Sequence, residues 1–167
     1  MAWAKNGTTT NSSSTSTIEL SSLTSTKFNV ILDHLIDNSG NDITPDLRFG
    51  YGSVDTGSNY AMRSSKDGGT DVLGTSRTGI NIDHRIAYDV NESFNVTYGI
   101  NIATEEKLII SFNISQDGAG AATAPNRGEI VGKWTNTSNQ YDIIHIREFD
   151  SRTSFDSGSN LSEIGTD

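Results

Sequence analysis

The sequence predicts an all-β fold, a single-domain antiparallel β-sandwich of the jelly-roll type. From Phe94 to Ile102, and again from Leu108 to Ile114 after a polar break, every second residue is large and apolar while the residues between are mostly polar, which is the period of strands with two different faces. Roughly eight to ten short segments of this kind are separated by turn residues at fairly regular intervals. Ser, Thr, Asn and Gly dominate the polar positions and favour turns and strand faces over helix interiors. We therefore expect little helix.

The predicted elements follow one another along the chain. Residues 6–17 consist of Asn, Gly, Ser and Thr, a composition that predicts a polar arm or an edge strand. Residues 28–36 fit a two-residue period; Ile31 and Leu35 would also fit a helical turn, but the loop signal that follows favours a strand. The other predicted strands lie near residues 18–23, 47–51, 60–64, 80–86, 94–102, 108–114, 130–134, 141–149 and 161–164. We divide the chain into an N-terminal polar arm, residues 1–14, and a sandwich domain, residues 15–167.

Turn chemistry and alternation together predict the hairpins. Asp67-Gly68 and Asp117-Gly118 are dipeptides typical of hairpin turns. In the pair of strands on either side of residues 103–107, alternation predicts that Tyr98 and Phe112 lie on the buried face. Thr97 and Asn113 then fall on the opposite, solvent-facing side.

Composition and charge exclude several classes of partner. The 167-residue chain has a net charge of −9 and scattered basic residues, so we expect no nucleic-acid partner, because backbone binding needs clustered Lys and Arg. It contains no cysteine and therefore no disulfide framework. Neither a signal peptide nor an apolar stretch long enough to span a bilayer is visible, and we expect a soluble protein that does not bind membranes.

The sequence offers no recognisable catalytic constellation. His34, His84 and His145 each lie among aliphatic residues in a strand pattern, which is typical of sheet residues rather than of ligands or bases. No serine lies in a Gly-x-Ser-x-Gly elbow. Oxygen-rich turns begin at Asp55 and Asp67, but neither completes a calcium-binding loop, and whether either binds calcium stays open. We assign no catalytic residue, cofactor or metal, and we do not expect an enzyme.

Two groups of residues are candidates for binding. The arm carries Trp3, a large apolar side chain in a polar segment, and together with Lys5 and Asn6 it is a candidate assembly interface. Aromatic side chains near strand ends could stack on a sugar, although a core position is the commoner role for a sandwich tryptophan. These glycan-facing candidates are Tyr51, Tyr60 and Trp134.

Several segments together resemble a family of short structural proteins from tailed viruses of aquatic microbes. The resemblance spans nearly the whole chain and implies a β-sandwich component of a virion. Its closing strand differs, with Glu163-Ile164-Gly165 where an apolar residue, Tyr and Gly are usual. The segments that carry the resemblance are Trp3-Ala4-Lys5-Asn6-Gly7-Thr8, Lys27-Phe28-Asn29-Val30, Gly57-Ser58-Asn59-Tyr60-Ala61-Met62-Arg63, Asn101-Ile102-Ala103-Thr104-Glu105-Glu106-Lys107, Gly132-Lys133-Trp134-Thr135-Asn136-Thr137-Ser138 and Phe155-Asp156-Ser157-Gly158-Ser159-Asn160-Leu161.

The resemblance leaves two functions open. The first, which we favour, is a capsid decoration or cement protein, a homotrimer that binds the major capsid protein lattice on the outer surface of the head and stabilises it. The second is a glycan-binding receptor domain of a tail fibre or spike; such domains usually follow a fibrous shaft, and none is visible here. A polysaccharide-degrading enzyme is the least favoured, because no acid pair is recognisable.

Overall fold

The structure, a computed structural model, confirms the all-β prediction. It describes residues 2–37, 44–83, 92–116, 120–149 and 154–167. All pairs of neighbouring strands in its two sheets are antiparallel. The strands are β1 Ala4–Thr10, β2 Thr17–Leu20, β3 Phe28–Ile36, β4 Pro45–Gly50, β5 Tyr60–Lys66, β6 Val72–Arg77, β7 Ile80–Asn81, β8 Glu92–Ile100, β9 Lys107–Ser115, β10 Asn126–Trp134, β11 Ile143–Glu148 and β12 Asn160–Thr166.

The connectivity is that of a jelly roll with one hairpin inserted. The small sheet has the order β2-β11-β4-β7, and the large sheet has the order β1-β12-β3-β8-β9-β10-β5-β6. Without β1, β8, β9 and β12, the large sheet reduces to β3-β10-β5-β6, and two four-stranded sheets remain, as in a jelly roll. The hairpin β8–β9 therefore separates β3 from β10, and β12 and β1 extend the sheet beyond β3.

The apolar core lies between the two sheets, and its aromatic side chains cluster beside the small sheet. Phe49 stacks on Tyr141 at a centroid distance of 4.6 Å and lies 6.1 Å from the ring of Trp134. The Trp134 ring in turn lies 6.5 Å from that of Tyr60. Gly132 on β10 makes room for the small sheet, because a Cβ there would lie 2.8 Å from Ile80 Cδ1. Close packing of this kind is what holds one sheet against the other.

Most predicted strands are present, and residues 28–36 form a strand throughout. The prediction missed β6, whose sequence Val-Leu-Gly-Thr-Ser-Arg has little alternation. Asp67-Gly68 connects β5 to β6, with φ values of 51° and 73°, as the turn prediction requires. The Asp117-Gly118 turn, His84 and the end of the predicted strand at residues 80–86 lie outside the described residues. No helix occurs in the described ranges, and hence none that is long and apolar enough to cross a membrane.

Candidate interaction surface

The outward side of the large sheet carries a continuous apolar surface, which we call the outer apolar face. It is formed by alternate residues of three adjacent nine-residue strands, β3, β8 and β9, with one residue from β10. These residues lie in rows across the sheet, and the row through Tyr98 and Ile110 runs from Ile164 on β12 to Val131 on β10. The residues of the face are Phe28, Val30, Leu32, Ile36, Phe94, Val96, Tyr98, Ile100, Leu108, Ile110, Phe112, Ile114 and Val131.

The orientation of the β8–β9 hairpin corrects the sequence prediction. Tyr98 is 50% exposed and Phe112 49%, whereas Thr97 and Asn113 are buried. The predicted alternation is present, but the face predicted to be buried is the one in contact with solvent. Alternation defines two faces of a strand without specifying which of them meets the second sheet. Here the polar face points inward, and the apolar face has no partner within the described chain.

Polar and charged residues border the outer apolar face on two sides. Beyond β3, the Thr8 and Ser162 hydroxyls form a hydrogen bond of 2.7 Å. On the opposite side the cations have acidic partners: Lys133 Nζ lies 2.7 Å from Glu106 Oε2, and Arg63 contacts Asp71 at the same distance. At one end, His34 Nε2 lies 3.7 Å from Glu92 Oε2. An apolar centre with a polar, charge-balanced border is the usual anatomy of a protein–protein interface.

One end of the face is concave. A groove of about 770 Å³ lies over the middle strands and extends toward β6. Trp3, Phe28 and Ile100 lie at one side of it, and Leu73 lies at the other. Trp3 is 54% exposed and Leu73 64%, so large apolar side chains on both sides of the groove face solvent.

The inner side of the same hairpin is a buried polar seam, formed by Ser93, Asn95 and Thr97 on β8 and Ser111, Asn113 and Ser115 on β9. The Thr97 hydroxyl donates a 2.8 Å hydrogen bond to that of Ser111, and the Asn95 amide donates to Asp33 on β3. Other polar atoms of the seam have no hydrogen-bond partner among the described residues; these are Ser93 Oγ, Asn95 Oδ1, Asn113 Nδ2 and Ser115 Oγ. An unpartnered buried polar group costs about 1–3 kcal/mol, so the seam stabilises the hairpin weakly from inside.

Two of the buried acidic side chains have pKa values raised to about 7. Burial raises the pKa of Asp33 to about 7, with the nearby Asp83 adding to the effect and the Asn95 hydrogen bond opposing it. Burial likewise raises the pKa of Glu163 on β12 to about 7, partly offset by the Asn6 amide. Both carboxyls therefore lose their protons near neutral pH rather than near pH 4.

Two of the three glycan-facing candidates do not face solvent, which corrects that part of the prediction. Trp134 and Tyr60 are each 1% exposed. The indole Nε1–H of Trp134 donates to Asp55 Oδ2 at 2.7 Å, and the Tyr60 hydroxyl bonds to the backbone of Phe49 and Asp55. Both rings are core residues because their polar atoms find partners inside the sandwich. Tyr51 is 57% exposed, and its role in glycan binding stays a prediction.

The turn that begins at Asp55 uses its carboxylate within the chain. Besides the Trp134 indole, the carboxylate accepts hydrogen bonds from the Gly57 backbone and the Asn59 amide. Burial opposes ionisation, but these bonds outweigh it and the pKa of Asp55 is lowered. Asp67 Oδ1 accepts a 2.8 Å bond from the Arg127 backbone. Among the described residues no group of three or more His, Asp or Glu side chains could hold a metal ion.

The predicted arm packs on its own sandwich. Residues 4–10 form the edge strand β1, which pairs with β12 from Ala4↔Gly165 to Thr10↔Asn160. Asn6 bonds twice to the Thr24 backbone, at 2.8 and 3.0 Å, and is thereby engaged within the chain. Lys5 and Trp3 are exposed, and their part in an assembly stays a prediction.

The histidines are sheet residues where they are described. His34 lies on β3, half-buried at the end of the outer apolar face. His145 lies on β11, where burial and then Arg48 and Arg147 lower its pKa to about 4. A histidine that stays neutral and lies between two arginines is a structural residue at ordinary pH.

Sequence reasoning missed the surface that dominates this molecule, although the alternation that builds it was the clearest pattern in the chain. The signal in the sequence was the small size of the intervening polar residues, Ser, Asn and Thr, which can be buried, as Thr97 and Ser111 are through their mutual hydrogen bond. Comparisons with protein-family models, with curated proteins and with solved structures found no match to this chain.

Proposed function

We propose that this chain is a structural component of a virus particle, a decoration or cement protein that acts as a homotrimer on the outer surface of the head. The observation that carries the proposal is the outer apolar face. Three adjacent strands present only apolar side chains and His34 between their ends, with no Lys, Arg or Asp and only Glu92 at one terminus. Such a face is suited to permanent contact with protein.

The family resemblance of the sequence segments supports the viral assignment, and the jelly-roll sandwich is compatible with it. Jelly rolls occur in viral capsid domains, although the fold alone does not determine function. The net charge of −9 also suits a partner made of protein rather than of nucleic acid.

Co-sedimentation with undecorated heads tests the proposal. The purified protein is mixed with heads that lack it, and the amount pelleted is compared with that in a sample without heads. We expect saturable binding and an increase in the temperature at which the heads open. The matched control is the protein unfolded and held in denaturant until mixing.

Absence of head binding would contradict the proposal. If the protein instead bound host cells, and soluble glycans competed, the receptor-binding alternative would be favoured. The exposed Tyr51 would then be the first residue to replace, since it is the one glycan-facing candidate that remains on the surface.

A further inference from the structure

We infer that the outer apolar face is the contact between copies of this chain, and that the β8–β9 hairpin forms its centre. This inference rests on the proposed function for the existence of a homo-oligomer, but not for its attachment to a head. The arm, which the sequence analysis favoured as the interface, then has at most a secondary part.

The size of the face is close to what a stable interface requires. Nine-residue strands are about 30 Å long at 3.3 Å per residue, and three strands 4.8 Å apart give a projected area of about 430 Å². The row through Ile110 continues to Ile164 on one side and to Val131 on the other, where Arg63 on β5 separates Val131 from Leu73 on β6. Because side chains stand above the sheet, the accessible area exceeds this projection and approaches the roughly 800 Å² per partner of a standard interface.

The charges favour a second copy over other occupants. Two chains of charge −9 repel each other except where the contacting surfaces are free of charge, and the centre of this face is such a surface. Its border is balanced by the pairs Arg63–Asp71 and Lys133–Glu106, so an identical partner meets no excess of either sign. Lys5 beside Ile164 and Arg127 beside Ile114 are further exposed cations at this border, but an anionic membrane repels a chain of net charge −9.

The polar seam on the inner side of the β8–β9 hairpin also indicates that a partner covers the outer side of the hairpin. The hairpin buries Ser93, Thr97 and Ser111 inward, where they contribute little apolar burial. Its large outward apolar residues are about half exposed, and they contribute their full burial only if a partner removes them from water. A second copy presents the same aromatic-rich strands, and Tyr and Phe at the centre of a patch are typical interface anchors.

Measurement of mass in solution tests the inference. Sedimentation equilibrium of the full chain should give a multiple of the 18.0 kDa chain mass, two if this face packs on the same face of one partner and three, as the proposed function requires, if three copies of it meet around a three-fold axis. Ile110→Lys should shift the mass toward 18.0 kDa, because it weakens the affinity between copies about 30-fold or more at each contact. The far-ultraviolet circular dichroism spectrum should stay unchanged. The matched control is Tyr51→Lys, an exposed aromatic outside the face, which should keep the wild-type mass.

A wild-type chain that is monomeric at every concentration would overturn the inference, as would an Ile110→Lys variant of unchanged mass. Should that variant fail to fold, Val131→Lys, at the border of the same row, provides the second test with the same two outcomes. Head binding separates the two proposals. Oligomers that do not bind heads refute the proposed function alone, and monomers that bind heads refute the inference and the trimeric state but not the attachment to heads.

Discussion

Two neighbouring pairs of strands in the large sheet, β5 with β10 and β8 with β9, have opposite polarity. In β5 and β10, Tyr60, Ile130 and Trp134 point inward and are buried, while Arg63 and Glu129 point outward. In β8 and β9 the inward residues are mostly polar, with Ile109 as the buried exception, and the other large apolar residues point outward. The two pairs share one sheet and one register, since β9 pairs with β10 along nine residues.

The two strand pairs differ in polarity because they pack against different parts of the molecule. β5 and β10 belong to the jelly-roll part of the sheet, where their apolar residues meet Phe49 and Ile80 of the small sheet. The inserted hairpin β8–β9 has a mainly polar inner side, where Ile109 is the one large apolar residue that reaches the core, and places its other large apolar residues outside. An insertion of this kind adds an interaction surface without disturbing the original core.

Replacing Trp134, a buried residue of the pair β5 and β10, should destabilise the protein most. Trp134→Ala should lower the free energy of unfolding by about 3–5 kcal/mol, because it removes a buried aromatic ring that contacts Phe49 and Tyr60. Phe112→Ala should cost the isolated chain far less, because half of the Phe112 side chain is exposed. Its effect on Tm should shrink on dilution, since it acts through association. If chemical unfolding showed that Trp134→Ala and Phe112→Ala lose the same free energy of unfolding at every protein concentration, the outward orientation of Phe112 would be contradicted.

An effect on pH dependence follows from Asp33 beside the polar seam. Its pKa is about 7 in the folded chain and near 3.8 in the unfolded chain, so between these values the folded state retains a proton that the unfolded state has lost. Stability should therefore fall as pH rises from about 4 to about 7, by about 1.4 kcal/mol per pH unit, and level off above that.

Asp33→Asn should remove this part of the pH dependence, and denaturant unfolding at several pH values measures it. Glu163→Gln is the matched control, because Glu163 contributes a separate decline over the same interval. A difference in stability between the wild type and Asp33→Asn that is the same at pH 4 and pH 7 would contradict the burial of Asp33; the wild-type total alone does not test it, because His145, with its pKa lowered to about 4, adds the opposite pH dependence.

The smallest expected effect compares two hydroxyl pairs of the same chemistry. Thr97→Val leaves the buried Ser111 hydroxyl without its 2.8 Å partner and should cost about 1–3 kcal/mol. Thr8→Val removes the exposed 2.7 Å bond to Ser162, where water replaces the partner, and should cost about 0.5 kcal/mol or less. Thermal unfolding of the two variants side by side measures the difference. Equal costs would mean that the seam is open to water.

The sequence predicted the strands well because alternation and turn residues are local. Residues 28–36 and the Asp67-Gly68 turn are examples. It did not predict the orientation of β8–β9, since that depends on which face meets the second sheet, a long-range choice that period alone leaves open. Likewise Tyr60 and Trp134 could not be separated from the exposed Tyr51, because their burial depends on partners such as Asp55, 79 positions before Trp134.

Thiol labelling can show whether a second copy covers the outer apolar face, because the chain has no cysteine of its own. Single variants Phe112→Cys, Ser111→Cys and Tyr51→Cys are treated with a small thiol reagent, with and without Ile110→Lys. We expect the Tyr51→Cys thiol to react rapidly in both backgrounds and the Ser111→Cys thiol to react slowly in both. The Phe112→Cys thiol should be protected in the wild-type background and reactive once Ile110→Lys separates the copies. A Phe112→Cys thiol as reactive as that of Tyr51→Cys in the wild-type background would contradict an interface on this face.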